Sequence, residues 1–148
     1  MDKYLEKIRK RFANDLYATK VTGIVIEKAV PQEAVCSLKL TENHMNAAGA
    51  VMGGVFFTLA DFAFAVAANG LDESVVTVSV TSSIQFLGNA TRPYLIAETT
   101  LIKDGKNTCF YDVAIYSASA EGGLLSDVTN QMTKVATVQI TGFKKYLK

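Results

Sequence analysis

Histidine and cysteine are nearly absent from this sequence: His44 is the single histidine, and Cys36 and Cys109 stand far apart as the only cysteines. A zinc site of the Cys/His type or a disulfide framework therefore cannot be assembled within one chain, although a single cysteine pair is permitted. Also missing are the G-x-S-x-G nucleophile elbow, the P-loop and the G-x-G-x-x-G fingerprint, and any Ser/His/Asp set would have to use His44. An excess of charge of one sign is lacking too. Fifteen Lys and Arg against fourteen Asp and Glu leave a formal charge of +1, which gives no electrostatic ground for binding nucleic acid or an anionic membrane. Whatever chemistry exists must run on carboxylates, amides, hydroxyls and backbone.

What the sequence does have is apolar surface. Of its 148 residues, 49% are hydrophobic and 20% charged, which predicts a single domain over 1–148 with a substantial core. The first eleven residues are charged throughout and lack the apolar middle of a signal peptide, and two free cysteines fit a reducing compartment, so the expected location is the cytoplasm. From Val51 to Leu71 the only charged residue is Asp61. The apolar part of that run, Val55 to Ala68, is bounded by Gly53-Gly54 and Asn69-Gly70, which fits a buried core helix better than a membrane span.

Leu5, Ile8, Phe12 and Leu16 recur at helical spacing among basic residues, predicting an amphipathic helix over 1–17 with a solvated basic face. Segments 20–28 and 33–41, separated by Val30-Pro31-Gln32, read as a first hairpin. TENHMNAAGA, from Thr41 to Ala50, has loop composition and leads into a long helix over about 55–69 that is apolar on every side and must be surrounded by protein. A strand follows at 76–86, with Val76, Val78, Val80, Ile84 and Phe86 on one face and Thr77, Ser79, Thr81, Ser83 and Gln85 on the other. Further strands are expected at 95–103, 107–117 and 128–140, with turns at 103–106 and 121–123. Short connections argue antiparallel pairing, so the fold class is α+β: five or six antiparallel strands curled around one buried helix.

Asp61 carries the most information. A carboxylate in a helix with no polar face must be satisfied or functional, since burying it unpaired costs several kcal/mol. It either pairs with a neighbouring group or does chemistry. Gly53-Gly54, at the start of the same helix, admits a ligand close to bare N–H groups that can polarise a carbonyl, although a glycine pair taken alone is better explained by a tight turn before a helix. Asp61 lies eight residues after Gly53, roughly 12 Å along the helix axis. Both cannot touch one reacting carbonyl from the same chain, so cooperation requires Asp61 from a partner subunit and a site at a dimer interface.

The stretch from His44 through Asn46 and Gly49 to Met52-Gly53-Gly54, continued by Thr58-Leu59-Ala60-Asp61, resembles the signature of the hotdog-fold thioesterases, in particular the phenylacetate-degradation branch. That family reads approximately H-x-N-x-x-G-x-x-H-G-G, followed by a helix bearing L-x-D. Val78-Ser79-Val80, Ile84-Gln85-Phe86-Leu87 and Gly105-Lys106 are similar to its later pattern, so the resemblance covers about residues 20–140. It implies a hotdog-fold acyl-CoA thioesterase that works as a homodimer or a dimer of dimers and needs no metal or cofactor. By that resemblance the Gly53 N–H holds the thioester carbonyl, Asp61 of the other subunit is general base or nucleophile, Asn46 orients water, and Ser79 hydrogen-bonds near Asp61. Met52, Gly54, Phe57 and Lys106 are the candidate substrate contacts, Lys106 for the CoA phosphates ahead of Lys103 and Arg92.

One position departs from the pattern. Where the family carries histidine before the glycine pair, this chain has Met52, whose thioether donates no hydrogen bond. The alternative reading is accordingly a hotdog protein that binds or senses acyl-CoA with little turnover. His44 matches a different position and is read as a loop residue, and Cys36 and Cys109 as core fillers.

Overall fold

The computed structural model describes residues 2–120 and 131–148. Helix α1, Lys3–Phe12, is capped by Asp2, whose side chain accepts the Leu5 N–H at 3.1 Å. It buries Ile8 completely and sets Phe12 edge-on against Phe62, with ring centroids 5.7 Å apart. The helix predicted to reach residue 17 stops earlier, and Leu16 is exposed rather than on the buried face. A π-helical turn, Tyr17–Thr22, takes over and ends at Gly23, whose φ of +94° suits glycine. This turn occupies the start of the strand expected at 20–28, which begins instead at Ile24.

Strands β1 (Ile24–Val30) and β2 (Glu33–Lys39) form the expected hairpin. A loop with a short 3-10 turn, Glu42–His44, leads to α2, Gly53–Ala68. The remaining strands are β3 (Val75–Phe86), β4 (Tyr94–Asp104), β5 (Thr108–Ala118) and β6 (Met132–Tyr146). β4 and β5 match the expected segments to within a residue, whereas β6 continues six residues beyond 140. The turn predicted at 121–123 and the first residues of the strand predicted at 128–140 lie outside the described residues.

All pairings are antiparallel, in the order β1-β2-β4-β5-β6-β3. Consecutive strands pair except around β3. There α2 crosses the sheet between β2 and β3 and delivers β3 to the far edge, beside β6, while β4 returns to pair with β2. Leu59, Ala60, Ala63 and Phe64 of α2 are buried against the concave face, and Phe64 packs edge-on to Tyr111. Gly142 of β6 is required here, because a Cβ would come within 2.8 Å of Phe64 and 2.7 Å of the Cys109 sulfur.

Two local patterns differ from expectation, and both matter for the site. The alternation in β3 is broken by a bulge between Ser79 and Thr81, with Val80 as the extra residue. Thr77 and Ser79 therefore face the helix, Val78 and Val80 face away, and beyond the bulge Ile84 and Phe86 face inward. Nor do the described residues cover α2 on every side. Gly54, Phe57, Thr58, Asp61, Ala65 and Ala68, spaced by three and four, form a strip that stays partly or fully exposed.

Candidate active site

The strip on α2 looks toward β3, and the two elements run antiparallel. Gly53 lies against Phe86 near one end of β3, and Asn69 clasps Thr77 toward the other: its side chain accepts the Thr77 N–H at 2.8 Å and donates to the Thr77 carbonyl at 2.9 Å. Between these fixed points Asp61 meets Ser79, whose hydroxyl donates to Asp61 Oδ1 at 3.1 Å. The bulge at Val80 makes this meeting possible while keeping Ile84 packed on the core beyond it and the half-exposed Phe86 ring edge-on to Phe56.

Burial pushes the Asp61 carboxyl above the usual carboxylate range. The Ser79 hydrogen bond works in the opposite sense, and the negative charge of Asp15 adds to the rise. The result is a carboxylate more basic than an exposed one, with its oxygen oriented by a hydroxyl. Asp15 follows α1 and carries no sequence signal linking it to Asp61; only folding α1 and the π-helical turn against α2 brings the two charges into range.

Gly53 opens α2. Met52 is its N-cap residue, with no side-chain cap, and the Met52 carbonyl accepts the Val55 N–H at 2.9 Å. Among the described residues no side chain accepts from the first N–H groups of the helix, the arrangement that polarises carbonyls and holds anions. A Cβ at Gly53 would sit 3.0 Å from Cζ of Phe86, while one at Gly54 would meet nothing within 4 Å. Gly53 is therefore glycine for packing, and Gly54 faces open space. Met52 is 57% exposed and Phe57 40%, whereas Phe56, Phe62 and Phe64 are buried in the core and Tyr94 packs in a separate small cluster with Val35 and Ile96. Of these aromatic side chains, Phe57 is the one on the open strip.

Asn46 is engaged with its own loop. Its Oδ1 accepts the N–H groups of Ala48 at 2.9 Å and Ala50 at 3.0 Å, which leaves the amide nitrogen pointing away from those bonds. Lys106 is not brought near either feature. Its carbonyl accepts the Tyr146 hydroxyl, and Tyr146 pairs with Val75, so Lys106 and Gly53 are separated by the length of β3, roughly 35 Å at the usual rise per residue. Arg92 is committed to Thr133 through its guanidinium. A groove of about 540 Å³ opens between the β1–β2 hairpin and β4, lined by Lys28, Glu33 and Glu98 among others, but it includes none of Asn46, Gly53, Asp61 and Ser79.

His44 is no ordinary loop residue. It is buried, with both ring nitrogens hydrogen-bonded to backbone groups. Its loop composition hid this role, because the Thr22 carbonyl it reaches belongs to a turn that sequence spacing did not reveal.

Known proteins resemble this chain in sequence and in fold. A family model described as the Thioesterase superfamily matches residues 48–123, just over half of the chain and including Gly53, Asp61 and Ser79. A Schizosaccharomyces pombe protein described as an esterase is 30% identical over 110 residues, covering 73% of this chain and 68% of its own length. Human acyl-coenzyme A thioesterase 13 is 28% identical over 128 residues, covering 85% of this chain and 91% of its own. Among solved structures, the E. coli PaaI protein from the phenylacetic acid degradation operon superposes with a TM-score of 0.74 at 25% identity, over 97% of this chain and 99% of that one.

Proposed function

This chain belongs to the thioesterase superfamily, has the hotdog fold and is a thioester hydrolase; from there we propose that its substrate is an acyl-CoA and that each active site is shared between two copies of the chain. The observation that carries the reading is the Asp61–Ser79 pair, set in the uncovered strip of α2 beside a sheet edge that nothing in the described residues covers. Asp61 and the Gly53 N–H lie too far apart on one helix to serve one carbonyl. A second α2, running antiparallel across a two-fold axis, brings Asp61 of one subunit toward Gly53 of the other. The same axis turns the far end of the partner's β3 toward this site, which gives Lys106 a route to the CoA phosphates from the second subunit.

The chemistry follows from these groups. The Gly53 N–H, at the positive end of α2, holds the thioester oxygen and stabilises the charge that develops on it. Asp61 takes a proton from water as the water oxygen bonds to the acyl carbon, and its raised basicity suits that task. Asn46 offers its amide nitrogen to the same water. When the carbon–sulfur bond breaks, the proton held on Asp61 passes to the departing thiolate, giving carboxylic acid and CoA. Met52 and Phe57 present apolar surface at the mouth, which favours apolar acyl groups, and the exposed Gly54 leaves room for the ligand to approach the backbone. Cys36 and Cys109 are both free and buried, consistent with a reducing cytoplasm as the place of action.

The test is thiol release across acyl-CoA chain lengths, with Asp61→Asn beside the unaltered chain. Loss of the base should lower kcat by about 10²- to 10⁴-fold. Equal rates in the two proteins would remove Asp61 from the mechanism, and no turnover of any acyl-CoA by the unaltered chain would sink the substrate assignment.

A further inference from the structure

The geometry points to His44 as a positioning residue for the Gly53 N–H, which it holds by tying the loop before α2 to the segment that enters β1. The inference rests on the reading of Gly53 as the carbonyl-holding donor.

His44 is buried, and its two backbone partners select one tautomer. The Thr41 N–H donates to Nδ1 at 2.9 Å, so Nδ1 is bare, and the proton on Nε2 is donated to the Thr22 carbonyl at 2.8 Å. Thr22 closes the π-helical turn just before the left-handed Gly23, whose N–H bonds back to the Ala18 carbonyl, so the acceptor stands on a locally closed piece of chain. The main chain of His44 reaches in the other direction. Its carbonyl accepts the Met52 N–H at 2.9 Å, and Met45 and Val51 bridge beside that bond. Met52 directly precedes Gly53 and caps α2. One residue therefore connects Thr22, through its ring, to the start of the helix, through its backbone.

Besides this tie, the loop is held by Val51, which is buried in the core beside Met52. Residues 45–50 are exposed, and the bonds from Asn46 to Ala48 and Ala50 are internal to the loop. On the other side of Gly53 the Phe86 ring limits movement toward the sheet. His44 and Phe86 thus fix the N–H from two directions. Loss of the ring's bond to Thr22 frees the loop without removing any group that touches substrate.

Two replacements separate the ring's two bonds. A glutamine amide reaches about where Nε2 lies and can keep the bond to Thr22, whereas an asparagine side chain reaches only as far as Nδ1 and keeps the one from Thr41. His44→Gln should retain kcat within about threefold, and His44→Asn should lose roughly 10- to 100-fold in kcat with KM changed little, the cost of misplacing a group rather than deleting it. Amide hydrogen exchange at Met52 should stay slow in His44→Gln and become fast in His44→Asn, at a temperature where melting curves show both folded. Wild-type turnover with slow Met52 exchange in His44→Asn would overturn the proposal, and so would equal losses in the two variants. If His44→Asn does not fold, imidazole ¹⁵N shifts of the unaltered protein still decide: a proton on Nδ1 instead of Nε2 would overturn it. Should the unaltered chain release no thiol from any acyl-CoA, the functional reading fails while the exchange and tautomer measurements still report on His44.

Discussion

The two edges of the sheet are treated differently. At β1, seven residues long, α1 packs alongside, and the Arg9 guanidinium donates two N–H groups to the Ile26 carbonyl at 2.9 and 2.6 Å, at a bulge between Ile26 and Lys28. Charged Lys28 and Glu33 sit at its turn, 3.6 Å apart. A short, bulged, charged and covered strand is the usual way a chain blocks further pairing. β3 is twelve residues long, and among the described residues no element lies outside it. Val78 and Val80 are exposed, and the uncovered strip of α2 runs beside it. A long bare edge of this kind pairs with another strand unless it is protected, and here it flanks Asp61 and Ser79. The difference teaches that the chain closes one edge by itself and leaves open the one that its proposed chemistry needs a second copy to complete.

The largest effect should come from closing the open edge. Val80→Lys combined with Ser83→Lys places like charges opposite one another where two β3 strands pair antiparallel about residues 80–83, which is unfavourable for direct neighbours. Sedimentation should then find a monomer, and kcat/KM for acyl-CoA should fall by at least about 100-fold, the scale of a lost base or oxyanion donor. Both positions face solvent in the single chain, so its melting temperature should change little. A folded monomer with full activity would break the comparison, because β3 would then be bare for no catalytic reason.

A smaller effect sharpens it through pH. The Asp61 carboxyl lies above the usual carboxylate range, chiefly through burial and also through the charge of Asp15. The base must be ionised, so kcat/KM should fall on the acid side at a pH above the ordinary value of about 4 for Asp. Asp15→Asn removes the repulsion and should move that limb to lower pH. Stability runs the other way. A carboxyl whose pKa is raised by folding favours the folded state when protonated, and that contribution is lost as pH rises through the folded value. Asp61→Asn should therefore melt higher than the unaltered chain at pH 7, with the gap closing well below pH 4. An acid limb unmoved by Asp15→Asn would assign the whole shift to burial.

The elements that carry the site are legible in residue patterns, and the features that are not share a cause. Helical spacing located α2, period-two alternation located β3, and the loop-Gly-Gly-Asp spacing placed Gly53 and Asp61 on one helix. What period-two reading could not detect is the bulge at Val80, because an extra residue leaves composition unchanged and shifts only the phase; it separates Val78 and Val80 from the face that Ile84 and Phe86 share. The π-helical turn was missed for a similar reason, since its residues are β-branched and apolar enough to read as a strand. The partnerships of Asp15 with Asp61, and of His44 with Thr22, depend on contacts between segments far apart in the chain. No local pattern encodes them.

The smallest predicted effects belong to the closed edge. Arg9→Ala leaves the Ile26 carbonyl without its two charged donors, and such bonds contribute about 1.5–3 kcal/mol each when buried and less where solvent can replace them. Arg9 is itself exposed, so the loss should be about 1–2 kcal/mol in a urea titration. Val25→Lys, on the outward side of β1, should cost no more than about 0.5 kcal/mol, as for other surface changes. In both variants the oligomeric state and kcat/KM should stay within twofold of the unaltered chain, because β1 lies at the opposite edge of the sheet from Ser79 and its catalytic neighbours. A monomer produced by Arg9→Ala would show that α1, rather than the bare length of β3, governs association. The edges would then be coupled through α2, which α1 touches where Phe12 meets Phe62.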